Sequence, residues 1–330
     1  MNKVKNIYSW FSSKSSIAAF LILFIFSSIV FSNRSFASFD SVANLFRKAA
    51  SDGGFLALGM TFVILIAQID LSVGAVLALG GVIMAMYGAD NPVLGIILGL
   101  LAGIFCGLLN GLMVAKMRIS SWVATLATML GVRGIVLLIT NKKPVSVSND
   151  VLIALGNTKV FGINILVYFL IIATLICMHL AHNTKFGMGI YAVGGNEEAA
   201  KMMGLKVDKI KILCYVMCGF FAALAGMLLA DRLYTAQPTA GDTWETTAIA
   251  MCALGGIKLS GGEGKFSGTF FGILVIATIN TIFNYAGNLN SWWQNIIMGL
   301  LVLISIGVQS EVIKIGKGKK HVHEAEKEAA

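Results

Sequence analysis

The sequence predicts an all-α polytopic membrane protein of about ten transmembrane segments, eight at the fewest, and three observations predict it. Of its 330 residues, 57% are hydrophobic and only 12% charged, where a soluble domain carries about 25% charged residues. So few charges cannot cover a water-facing surface, whereas a bilayer solvates apolar surface directly. Apolar runs recur along the chain, and the connections between them alternate between rich and poor in Lys and Arg. Three prolines against 36 glycines fit membrane helices that favour glycine where they touch.

Residues 1–16 carry Lys3, Lys5 and Lys14 and read as a cytoplasmic N-terminus. The first apolar run, 17–31, precedes Ser35-Phe36-Ala37 and has the outline of a secretory leader. The chain beyond it is as apolar as the run itself, so it reads as a retained span. Runs at 53–69 and 71–87 flank Asp70 and form either two spans or one broken element. Runs at 93–114, 122–139, 163–180 and 210–230 are long enough to cross. The run at 246–257 is short, which suits a half-helix or re-entrant segment, and Asp242, Trp244 and Glu245 stop it from extending towards the N-terminus. Runs at 266–283 and 291–308 complete one membrane domain over residues 17–309. Residues 310–330 form a polar tail, basic and then acidic.

With the N-terminus in the cytoplasm, 17 of the 25 Lys and Arg fall on the cytoplasmic side. Arg34, Arg47, Lys48, Lys142, Lys143, Lys159 and Arg232 fall opposite, and Arg133 lies within a span. The positive-inside rule supports this parity, puts both termini in the cytoplasm and places the polar connection 181–209 there too. The formal charge of +9 therefore reflects orientation, not affinity for nucleic acid. Cys106, Cys177, Cys214, Cys218 and Cys252 all lie in apolar runs, where cysteine packs as a small hydrophobe, so no disulfide framework is expected. The four histidines form no metal-binding constellation.

Gly95, Gly99, Gly103, Gly107 and Gly111 recur every four residues and trace a groove that lets another helix approach closely. Asp70 is placed to cap a helix beginning at Leu71 or Ser72, or to take part in passage. Arg133 can pair with a carboxylate or with helix C-terminal carbonyls. The pattern I-x-L-S-x-G occurs at 69–74 and again at 257–262, both at cytoplasmic ends of spans. Within 181–209, Gly194-Gly195 breaks the chain, Asn196 caps, Glu197 and Glu198 suit the positive helix end, and Gly204 terminates. A helix of about two turns gains little alone, so it is suited to docking into a partner's groove. No Gly-x-x-x-x-Gly-Lys-Ser/Thr phosphate loop occurs, which disfavours an enzyme. Intramembrane charge amounts mainly to Asp70 and Arg133, too little for ordinary ion coupling.

Glu198-Ala199-Ala200 followed by Gly204 resembles the E-A-A-x-x-x-G signature of ATP-binding-cassette importer permeases. The stretches 59–65 and 69–74, Tyr191-Ala192-Val193-Gly194-Gly195-Asn196, 236–241, and Gly255-Gly256 with Gly261-Gly262-x-Gly264 resemble permeases for ribose and related monosaccharides. The ending from Ser291-Trp292-Trp293 to Gln309 is similar to a galactofuranose permease. This resemblance implies a permease subunit in a bacterial inner membrane that forms the path for a monosaccharide. It implies a second permease copy or paralogue, a cytoplasmic ATPase that carries ATP and Mg, and an extracytoplasmic sugar-binding protein. This chain would then bind no cofactor or metal of its own. By the same resemblance, Asn196, Glu197, Glu198, Ala199, Ala200 and Gly204 form the ATPase-coupling helix. One departure is that Glu245-Thr246-Thr247-Ala248-Ile249-Ala250 lacks a Leu-Asp pair found in many members. Amides and acids suited to sugar hydroxyls give Gln68, Asp70, Asn110, Asn280, Asn284 and Gln294 as path or gate residues, while Trp292 and Trp293 suit the interfacial belt. Two alternatives stay open: an ion-coupled secondary sugar carrier acting alone, and a membrane anchor without transport.

Overall fold

The computed structural model describes residues 15–287 and, beyond them, residues 293, 296, 297, 299–301, 303 and 307. Most of the expected N-terminus 1–16, most of the run at 291–308, Trp292, Gln294 and the tail 310–330 lie outside the described residues. The chain is a helical bundle. Over the described residues 15–287 its helices are α1 Ser15–Val30, α2 Phe39–Ala49, α3 Phe55–Leu65, α4 Val73–Gly88, α5 Pro92–Ala115, α6 Ser121–Ile139, α7 Asp150–Asn157, α8 Ile165–Asn183, α9 Lys185–Gly195, α10 Glu197–Met202, α11 Val207–Leu233, α12 Trp244–Leu254 and α13 Phe266–Ala286. Among the described residues, six helical stretches are long and apolar enough to cross a membrane: α2 joined to α3 over Phe39–Leu65, then α5, α6, α8, α11 and α13. The apolar helices α1 and α4 have 16 residues each.

The boundaries follow local chemistry. Asn91 accepts from the Leu94 N–H and Pro92 opens α5, a cap followed by the one residue that loses nothing at a helix start. Asn164 caps α8 and Thr184 caps α9 in the same way. Helix α11 lies at the centre, packed against α3, α4 and α5. Every residue of α3 is buried. By contrast α5, α6 and α8 leave Leu101, Leu130 and Leu175 exposed, as helices facing lipid or another apolar partner do.

Several sequence expectations are corrected by the fold. The run at 53–69 belongs to a helix that begins at Phe39 and bends through a π-turn, Ala50–Gly54, where Asp52 and Gly53 leave helical geometry. The amphipathic α2, capped by Ser38, carries Asp40, Arg47 and Lys48, charges that hide a helix from an average over hydropathy. Helix α3 stops at Leu65 and α4 starts at Val73, so the pair around Asp70 is broken over 66–72, with Ala67 in the left-handed region at φ 58°. Gly194 and Gly195 do not break the chain but close α9. Helix α12 begins at Trp244, so Trp244 and Glu245, expected to limit that run, are part of its first turn, while Asp242 lies just before its N-cap Thr243. The connection 140–164 contains α7, the antiparallel ribbon of β2 (Lys159–Val160) with β3 (Ile163–Asn164), and β1 (Val145–Ser146), which pairs antiparallel with β4 (Thr235–Ala236) beyond α11.

The polar groups separate to two ends. At one, Arg232 pairs with Asp52 at 2.8 Å, Arg34 donates to the Tyr285 carbonyl, and β1 meets β4. At the other, the basic end, Lys116 pairs with Asp208 at 2.9 Å, and the Gly262 N–H donates to the Leu65 carbonyl at 2.9 Å. Tyr191 donates to the Gly264 carbonyl there at 2.9 Å. The two I-x-L-S-x-G stretches therefore flank one contact region, since Gly261 lies against Ala67.

Candidate functional site

At the basic end, Asn196 accepts from the Ala199 N–H at 2.9 Å and caps α10, and Gly204 ends it at φ 80°, a backbone state that favours glycine. The fully buried Ala200 anchors one side of this helix. Glu197 accepts from Lys201 and from Lys211 on α11, both at 2.7 Å. Burial raises the Glu197 carboxyl pKa, but hydrogen bonds and charge from the two lysines outweigh it and hold the group below its ordinary value. Ala199 is half-buried, while Glu198, Met202 and Met203 face outward, Met202 with 84% of its surface exposed. A ringed helix with an anchored face and an exposed acid-and-methionine face is suited to docking. Beside it opens a cavity of about 940 Å³, lined by Gln68, Lys116, Arg118, Ser121, Glu197 and Lys211 among others.

Gln68 reaches that cavity because α3 has already ended. Two residues on, Asp70 is buried, and its Oδ1 accepts from the Ser72 N–H at 2.8 Å and the Ser72 hydroxyl at 2.6 Å. It thus holds the turn into α4, though the helix starts at Val73, later than expected. Asn110, also buried, donates to the Ser72 Oγ at 2.9 Å and accepts from Thr128 at 2.6 Å. The Leu71 N–H donates to Thr125 at 3.0 Å. These bonds tie the break in α3–α4 to α5 and α6, which satisfies backbone that no helix serves. Asn280 and Asn284 are not part of this group: they lie towards the opposite end of α13, one half-buried and one exposed.

The glycine stripe faces α4 and α11. A Cβ at Gly95 would meet backbone of Gly88, one at Gly99 the Gly80 carbonyl, one at Gly103 the Gly219 carbonyl, one at Gly107 the Tyr215 carbonyl and one at Gly111 the Ile212 Cα. All five cysteines are free and buried, Cys214 and Cys218 together on the central face of α11.

A second polar group stayed unassembled in the sequence. Arg133 Nη2 lies 2.6 Å from Asp242 Oδ1, and its Nη1 donates to the carbonyls of Pro238 at 2.7 Å and Ala240 at 3.0 Å. The partner is a carboxylate as foreseen, but the carbonyls belong to a loop before α12, not to a helix end. An arginine within an apolar span was the available signal, and its partner lay 109 positions away.

Long apolar helices interrupted inside the bundle by hydrogen-bonded, non-helical turns are the build of a multi-pass membrane transport subunit. The chain belongs to the family described as branched-chain amino acid transport system / permease component, whose model matches residues 44–306. It is similar to the ribose import permease protein of Bacillus subtilis strain 168, at 42% identity over 88% of this chain and 91% of that one. The ribose import permease protein of Escherichia coli strain K12 is 36% identical over 92% and 95%. The L-arabinose transport system permease protein of that strain is 36% identical over 88% of each. No solved structure matches the chain.

Proposed function

We propose that this chain is the membrane-spanning subunit of an ATP-binding-cassette importer for a neutral monosaccharide of the ribose type, in a bacterial inner membrane. The observation that carries the reading is the near full-length similarity to relatives named for ribose and arabinose transport. In this reading the basic end is cytoplasmic and the chain crosses ten times, with α12 as a half-helix and the last crossing at 291–308. The capped helix α10 seats in a groove of a cytoplasmic ATPase, which holds ATP and Mg, while this chain holds no cofactor. A binding protein delivers sugar at the other end, and a second permease copy completes the path. Gln68 stands at the cytoplasmic mouth, Asp70 and Asn110 brace the gate-side break, and Asn280 and Asn284 lie towards the receiving end.

Exposure of Glu198 beside the two methionines supports the docking role, because a solvated connector gains nothing from an exposed apolar face. The chain is co-expressed with its ATPase and binding protein and reconstituted in vesicles. ATP-dependent ribose uptake is expected, and Glu198→Lys and Gly204→Pro each lower it at least tenfold while weakening capture of the ATPase. Full uptake by both variants would sink the coupling assignment. Uptake that needs no ATP and collapses with an uncoupler would replace the importer with a secondary carrier.

A further inference from the structure

Arg133, Asp242, Thr243, Glu245 and Thr246 come together where α6 meets the loop leading into α12. Their depth follows from helix geometry. Arg133 lies twelve residues along α6 from Ser121, about 18 Å from the basic end. Gly241 packs against the backbone of Gly74, near the start of α4, about 21 Å from its other terminus at Gly88. The group therefore occupies the middle of a hydrocarbon layer roughly 30 Å thick.

At that depth these side chains are open. Asp242 has 59% of its side chain exposed and Arg133 17%, and Thr243 and Thr246 are exposed with Glu245 half-buried. Exposed charges and hydroxyls cannot face lipid tails, so they face water or a second protein surface. The surrounding geometry is fixed: Arg133 clamps two loop carbonyls, the Thr246 hydroxyl donates to the Thr243 carbonyl at 2.6 Å, and Gly241 is seated on Gly74. Trp244 adds a half-buried indole between the polar residues.

We propose that these residues line the aqueous passage at mid-membrane and contact a neutral, polyhydroxylated substrate there; this rests on the importer reading above. Asp242 and Glu245 supply acceptors, the two threonines supply hydroxyls, and the indole offers an apolar face to ring C–H groups. One guanidinium against two carboxyl groups leaves no surplus positive charge to hold a phosphate or a carboxylate, which selects sugars over sugar phosphates and sugar acids.

The test uses the full assembly in vesicles, with ribose as the probe. The native cysteines are buried, so Thr246→Cys adds a thiol that a charged, membrane-impermeant methanethiosulfonate reagent, applied from each side, can address. Labelling at least tenfold faster than for Leu175→Cys on α8 is expected, slowed at least threefold by ribose with its binding protein. Asp242→Cys repeats the measurement should Thr246→Cys fail to assemble, and Asp242→Asn is expected to raise the KM for ribose uptake at least fivefold. Inert thiols at 242 and 246 in vesicles that import ribose would overturn this inference, marking a sealed interface and leaving the importer reading intact. Labelling equal to that of Leu175→Cys would overturn it too. Vesicles that import no sugar would overturn the importer reading and this inference with it.

Discussion

Asp70 is buried between two apolar helices and spends one carboxylate oxygen on the N–H and hydroxyl of Ser72. A carboxylate at the junction of two apolar runs announces a break, because no span tolerates it without partners. The expected cap is instead a turn: Ser72 stands at the N-cap of α4, Asp70 accepts from the Ser72 N–H and hydroxyl ahead of it, and Asn110 and Thr128 arrive from other helices. Asn110 itself reads as a path residue when judged by polarity alone, yet it is buried and spends its amide on Ser72 and Thr128. Asn110→Leu removes both bonds in a site that water does not reach. A loss of about 1–3 kcal/mol is expected, seen as a lower thermal midpoint in detergent. An unchanged midpoint would show that Ser72 and Thr128 find other partners.

Among the elements, the glycine stripe was the easiest to read, since a period of four in a helix can only mark one slowly drifting face. What it faces was not legible, because the complementary residues on α11 are Gly219 and small neighbours scattered among larger ones. The amphipathic α2 and the first turn of α12 were missed for the same reason: charges in and beside them satisfy partners inside the fold, Arg133 for Asp242 and Arg232 for Asp52, which a hydropathy average treats as loop. The contact of α5 with α11 is backbone on backbone, and carbonyls cannot move aside as side-chain tips do. Gly107→Val places its Cβ onto the Tyr215 carbonyl. Markedly less monodisperse protein is expected on size-exclusion chromatography than for Gly131→Val on α6, whose added Cβ meets nothing. Equal yields would mean that the helices can separate without cost.

For the whole molecule, everything about sidedness depends on whether α12 completes a crossing. Its 11 residues span about 16 Å, half a bilayer, so length alone leaves a return to the starting face possible. The contacts run from one end of the bundle to the other. The chain leaves α11 at the end where Arg232 pairs with Asp52, descends through 234–243 to the Gly74–Gly241 contact, and emerges at Gly262 and Gly264, bonded to Leu65 and Tyr191 at the basic end. An extended descent plus a half-helix covers the thickness that one long helix would cover, and the loop's exposed polar groups are what allows it to be non-helical there. The count of basic residues treated 246–257 as a crossing from parity alone and could not see this descent through 234–243. With the native cysteines buried, Lys258→Cys and Met203→Cys should label with an impermeant thiol reagent from one face, and Lys142→Cys only from the other. Labelling of Lys258→Cys together with Lys142→Cys would make α12 a true re-entrant hairpin and reverse the direction of α13. Arg34 could then no longer reach Tyr285, so the contact between those two residues stands or falls with the same experiment.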